Sequence, residues 1–200
     1  ILQSDPCGAS DRRKDWPMDA TTAMGETNTI VTGLMNGLSP DDREKSTPCQ
    51  KWNVHELIEH MCQGGQMIAG GLQDQAPPEE MPDFLADGPA AGWNAAAAAL
   101  AAAATPDALA ATHQMPFGEV PGEIALSVIT ADHLTHAWDL ARATGQDLAV
   151  DDELATWALQ TWQAVVPAEG REGDAFHAVV PVADDASALD RLVGYTGRRP

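Results

Sequence analysis

Asp132 and His136 are the residues best placed to do chemistry. They interrupt an apolar stripe that otherwise reads Ala125, Val128, Ile129 and Leu140. Their i, i+4 spacing sets them on one helix face, one turn apart. A carboxylate aimed at a core is costly unless it is paired or bound to a cation. One imidazole a turn away satisfies it only in part, whereas a divalent metal would satisfy both groups. His60 offers a third donor, because it follows Leu57 by three positions and borders the Leu57, Met61, Gly64 stripe of another helix. Two histidines and one carboxylate, with positions left for water or substrate, make a recognised catalytic metal set. Spacing alone leaves alternatives open. An Asp-x-x-x-His pair is more often a plain helix ion pair, and His60 joins it only if the two helices face each other.

Other reactive residues fit simpler roles. His133 and His55 each point about 100° from their helix neighbours, which reads as surface or supporting positions. His113 and His177 fall in connections, where exposure is the default, although either could reach a bundle mouth. Asp139 and Arg142 stand at i, i+3 and read as a helix ion pair. Cys62 lies on a different face from His60 and reads as a buried structural thiol. Cys49 follows Pro48 just ahead of a helix, with no clear base beside it. Trp52, Trp93, Trp138, Trp157 and Trp162 read as core or cavity wall. There is no nucleophile elbow, P-loop or dinucleotide fingerprint.

The elements that must position the trio are helices. A first helix is expected over about Ala20 to Leu38, broken by Ser39-Pro40-Asp41-Asp42. A second begins after Asn53, where Glu56 stands at capping-box spacing and Trp52 with Leu57 makes a hydrophobic staple. It ends near Gly70-Gly71. Residues 74–92 are rich in Pro, Asp and Glu and read as a long connection, a candidate lid. Trp93 to Ala104 is a third, alanine-rich helix, and a further turn is expected over Asp107 to Ala111. His113 to Val120 reads as extended. A fourth helix runs from about Pro121 to Thr144 with Gly145 after it, and a fifth from Asp151 to Val166. The tail carries an extended patch, Phe176 to Val182, with strand signals confined to Val179–Val182, and a short helix over Leu189 to Tyr195. The fold class is therefore all-α, an antiparallel four-helix bundle with an extra C-terminal helix and an irregular tail.

Composition narrows the partners. The chain of 200 residues carries 30 acidic and 11 basic side chains, a net charge of −19. Such a chain is repelled by phosphate backbones and by anionic membrane surfaces. No apolar run approaches the roughly 20 residues of a membrane span. Three cysteines, Cys7, Cys49 and Cys62, form no disulfide framework and fit a reducing cytoplasm. Residues 1–17 lack apolar periodicity and read as a peripheral extension, with residues 18–200 as one domain.

Two blocks of the sequence resemble a known family. Thr47-Pro48-Cys49-Gln50-Lys51-Trp52-Asn53-Val54-His55-Glu56-Leu57-Ile58-Glu59-His60 is similar to the first block of DinB-like metal-binding proteins. The closer resemblance is to the group related to the N-terminal domain of mycothiol-dependent maleylpyruvate isomerase. Asp132-His133-Leu134-Thr135-His136-Ala137-Trp138-Asp139-Leu140-Ala141-Arg142-Ala143-Thr144-Gly145 resembles that group's second block. The tail around Val180-Pro181-Val182 and Leu189-Asp190-Arg191-Leu192 is similar to its C-terminal signature. The resemblance implies a DinB-like bundle holding a divalent metal, often zinc, on His60, Asp132 and His136. The isomerases carry glutamate where this chain has Asp132. They also carry a second domain, for which the stretch after the fifth helix is too short.

The resulting expectation is a cytoplasmic, metal-dependent transferase or isomerase that uses a low-molecular-weight thiol such as mycothiol as nucleophile. Arg142, His113 and His133 are the further candidates for substrate contact. Expected partners are a small-molecule substrate, the thiol, and a second copy of the chain as a homodimer, with no nucleic acid and no membrane. The alternatives are a non-catalytic metal-binding bundle, or the same scaffold recruited to another biosynthetic reaction.

Overall fold

Local capping chemistry decides where the helices begin. The computed structural model describes residues 16–49, 51–78, 80, 82–115, 118–171 and 176–200, so most of the expected extension over 1–17 lies outside the described residues. Helix α1 spans Ala20–Asn36 and opens on Asp19, whose carboxylate accepts from the Thr21 and Thr22 amides at 3.0 and 2.9 Å. Helix α2 spans Val54–Leu72 and forms the expected capping box. Asn53 Oδ1 accepts from the Glu56 amide and Glu56 Oε2 from the Asn53 amide, both at 2.9 Å. These bonds satisfy donors that a first helical turn leaves without partners.

Helix α3 spans Pro89–Ala103 and starts ahead of the expected Trp93. Pro89 sits in its first turn, where a missing N–H costs nothing, and Gly88 precedes it at φ 97°, a state open to glycine. Helix α4 spans Pro106–Ala110, capped by Thr105 Oγ1 accepting from the Ala108 amide. Helix α5 spans Gly122–Thr144 and ends on left-handed Gly145, as expected. Helices α6, Asp152–Val165, and α7, Ala188–Tyr195, complete the set.

The sheet lies elsewhere than the strand signals suggested. Strand β1, Thr112–Met115, pairs antiparallel with β2, Gly118–Pro121, in the register Thr112 to Pro121 and Met115 to Gly118. The valine-rich Val179–Val182 forms no ladder. β-branched residues favour extended backbone, but a strand also needs a partner. Here the Val180 amide donates to the Gly194 carbonyl of α7 at 2.9 Å.

Packing makes a closed ring of four helices. α1 touches α5, α5 touches α2, α2 touches α3, and α3 returns to α1. This is the helical bundle expected from the sequence. α6 packs on α5 and α7 on α6, a second layer outside the ring. Two buried clusters result. Leu126, Leu134, Leu154 and Trp157 belong to one, and Leu57, Ile58, Met61, Trp93 and Leu140 to the other. Each such side chain contributes about 1.5–3 kcal/mol on burial. α5 serves both clusters, so every residue from His133 to Ala141 is buried. No helix among the described residues is long and apolar enough to cross a membrane.

The start of the long connection after α2 is tied to the hairpin. His113 is 4% exposed, with Nδ1 2.9 Å from Asp74 Oδ1 and Nε2 2.8 Å from the Ala108 carbonyl. Both ring nitrogens face acceptors, so the doubly protonated ring fits best. The Asp74 carboxylate, then the Ala108 carbonyl, raise the His113 pKa above its ordinary value. A raised histidine stabilises the fold in full below about pH 6.5, and that contribution is lost as pH rises through the raised value. Asp74→Asn keeps the residue's left-handed backbone at φ 54° and removes the charge. The difference in melting temperature between wild type and Asp74→Asn is expected to shrink as pH is raised from 6 into the alkaline range. A difference that does not change with pH would exclude this anchor.

Candidate metal centre

The trio meets where α2 crosses α5. His60 comes from α2, and Asp132 and His136 from α5. His60 Nε2 lies 3.6 Å from Asp132 Oδ2, and His136 Nε2 lies 3.5 Å from Asp132 Oδ1. Both separations exceed the 2.7–3.2 Å usual for an N–H···O bond. They do match donors sharing an ion: in a tetrahedral zinc site with bonds near 2.1 Å, two donors stand about 3.4 Å apart. The two imidazoles are nearly perpendicular, at 86° with centroids 5.2 Å apart. The donor set is thus chemically and metrically suited to zinc.

The ring of His136 is oriented from behind. Its Nδ1 lies 2.9 Å from Asp139 Oδ2. A carboxylate only accepts, so Nδ1 carries the proton. With the proton on Nδ1, Nε2 faces Asp132 and is the ring atom that could serve as a metal donor. Asp139 is wholly buried and is gripped by Arg198, with Nε donating to Oδ1 at 3.1 Å and Nη2 to Oδ2 at 2.7 Å. A carboxylate behind a ligating histidine commonly fixes its tautomer. His60 is held differently. Trp52, delivered by the segment before α2, stacks on its ring at 4.1 Å and 25°.

Charge follows this geometry. Burial pushes the Asp132 carboxyl up, but the His136, His60 and His133 rings outweigh it and hold it well below the usual range. Burial likewise raises Asp139, and its bonds to His136 and Arg198 bring it below normal. Burial and then Asp139 raise the Cys49 thiol.

A cleft of about 140 Å³ opens over the trio, walled by Cys49, Trp52, Trp162, Phe176 and Arg198. None of the other candidates lines it. His133, 2% exposed, lies with Nε2 3.0 Å from the Met61 carbonyl and its ring edge-on to Trp93. The low-dielectric site lowers its pKa to about 4, so it is a neutral core histidine, and of the surface and supporting positions that its helix angle allowed, the surface one is excluded. His113 is the hairpin anchor. Arg142 is exposed and stacks over Trp138 at 5.5 Å. The expected Asp139–Arg142 pair does not form, because Asp139 faces inward to Arg198. Among the described residues, none of the long connection borders this cleft: Leu85–Ala91 line a separate groove with Leu38, His55 and Ile58.

Sequence reading missed Asp139 and Arg198 as site residues. Asp139 carried a signal, since it stands three residues after His136 and can reach its ring. Arg198, 59 residues further on, carried none.

Removing Arg198 leaves a buried charge with one partner. Arg198→Ala is expected to lower unfolding stability in urea by about 3–5 kcal/mol. Arg142→Ala, which loses one exposed ring contact, should cost less than about 1 kcal/mol. Equal losses would contradict the geometry.

Residues 26–141 match the family model for the mycothiol maleylpyruvate isomerase N-terminal domain. That span holds His60, Asp132, His136 and Asp139 and stops short of Arg198. Two uncharacterized proteins of Mycobacterium tuberculosis, from strains CDC 1551 and H37Rv, are each 35% identical over 182 residues, covering 90% of this chain and 98% of the relative. No solved structure matches the chain.

Proposed function

Because the chain belongs to the mycothiol maleylpyruvate isomerase N-terminal domain family, we propose that it is a divalent-metal enzyme acting with a low-molecular-weight thiol of the mycothiol type. The reaction class is transfer or isomerisation on a small electrophile. His60, Asp132 and His136 are the proposed ligands, and zinc the proposed ion. The observation that carries this reading is the 3.5 and 3.6 Å spacing of the His136 and His60 ring nitrogens from the two oxygens of Asp132. A divalent ion held there supplies the positive charge that lowers a thiol's pKa and yields a thiolate near neutral pH.

The chain's own residues do the rest. Asp139, fixed by Arg198, keeps the His136 proton on Nδ1 and so keeps Nε2 available. Trp52 holds the His60 ring in one orientation. Trp162 and Phe176, edge-on at 4.8 Å, form an apolar wall that limits water, which strengthens charge interactions inside the cleft. Trp162 is itself pinned, its Nε1 donating to Thr135 Oγ1 at 3.1 Å. A single domain over residues 18–200 and a cytoplasmic setting belong to the same proposal.

Metal analysis tests it. Purified protein is expected to carry about one divalent ion per chain, lost in His60→Ala and His136→Ala, while Asp139→Asn weakens affinity about 10–100-fold. Folded wild-type protein with no affinity for zinc would overturn the reading.

A further inference from the structure

The cleft holds a fourth donor that the proposed ligand set does not use. Cys49 lines the same cavity as His60, Asp132 and His136. Its Sγ, a ring nitrogen of His136 and a carboxylate oxygen of Asp139 all lie within 4.8 Å of one another. Asp139 has both oxygens engaged, by His136 and Arg198, which leaves the thiol as the unengaged donor of this cluster, one that shares the cavity and His136 with the trio but stands apart from His60 and Asp132. His136 itself is 5% exposed, and among the described residues its Nε2 makes no hydrogen bond.

The backbone that carries Cys49 is fixed. The Thr47 hydroxyl lies 2.9 Å from the Cys49 carbonyl and 2.7 Å from the Trp52 carbonyl, and the Trp52 amide donates to the Cys49 carbonyl at 3.0 Å. One short segment therefore delivers both the indole that stacks on His60 and the thiol beside His136. Because Cys49 is not grouped with His60 and Asp132, ligation asks its side chain to move toward the trio across the shared cleft. Cys62 offers an internal contrast, since it is wholly buried and lines no part of the cleft.

Resting on the metal reading above, we propose that Cys49 is an internal fourth ligand, which closes the open position of the metal centre until an external thiol displaces it. Three protein donors leave one tetrahedral position, and thiolate is a preferred zinc ligand. On ligation the Cys49 S–H bond breaks and its proton goes to solvent. On displacement the incoming thiol releases its proton and Cys49 regains one, so the exchange is neutral in protons and needs no oxidant. The external thiol must compete with a tethered one, and the centre is guarded against adventitious ligands between turnovers.

Cobalt substitution reads this directly. Full-length protein loaded with Co²⁺ and no added thiol is expected to show a sulfur-to-cobalt charge-transfer band in the near ultraviolet, absent from Cys49→Ser. Adding 2-mercaptoethanol should restore the band in Cys49→Ser, at lower thiol concentration than is needed to displace Cys49 in the wild type. Zn²⁺ should also slow iodoacetamide labelling of Cys49 in the wild type by about tenfold or more, a readout that needs no variant. Cobalt bound without the band, a band that survives in Cys49→Ser, or labelling indifferent to Zn²⁺ would overturn the internal ligand and leave the three-donor site standing. Wild-type protein that binds no Co²⁺ would overturn the metal reading and the internal ligand with it.

Discussion

The arrangement at the cleft depends on one carboxylate that solvent does not reach. Asp139 is buried in α5 between two hydrophobic clusters, where an ionised group is unfavourable unless it is fully paired. It is paired twice, by the Arg198 guanidinium and by the His136 ring. The first bond draws the C-terminal tail across the end of the bundle. The second sets which nitrogen of His136 carries the proton. Stability and site geometry therefore meet in one residue: loosening the tail would misalign the histidine, and misplacing the histidine would leave a charge unpaired in the core.

The bundle explains why so much polar chemistry sits on α5. A helix packed on one side shows an apolar stripe and a wet face. α5 is surrounded, by α1 and α2 in the ring and by α6 outside it, so its polar residues have to find partners within the protein. His133 donates to the Met61 carbonyl, and Thr135 donates to the Ala131 carbonyl while accepting from Trp162. Thr130 Oγ1 is buried without such a partner, and Asp132, a quarter exposed at its side chain, marks where the packing opens into the cleft.

Much of this was legible in the sequence, and the failures have physical causes. The capping box at Asn53, the Gly145 terminus and the Asp132–His136 pair follow from local spacing, where side chains act on residues three or four positions away, whereas His60 joins that pair only through the crossing of two helices. Burial on all sides defeats that logic. The helix angle left His133 open to the surface as well as to a supporting position because periodicity assumes one wet face, and α5 has none along that stretch. The early start of α3 was missed because Pro89 reads as a breaker unless it is placed in a first turn. The valine run at 179–182 had the right propensity and no partner strand. Arg198 was illegible, since nothing local distinguishes a guanidinium that will travel back to a carboxylate 59 residues earlier.

That separation also orders events during synthesis. All four helices of the ring leave the ribosome before Arg198 has been translated. The nascent bundle can bury its apolar faces at once, yet Asp139 must wait, held by His136 alone or carrying a proton. The Asp139–Arg198 pair joins positions 59 residues apart, so its second partner is supplied only at the very end of chain synthesis.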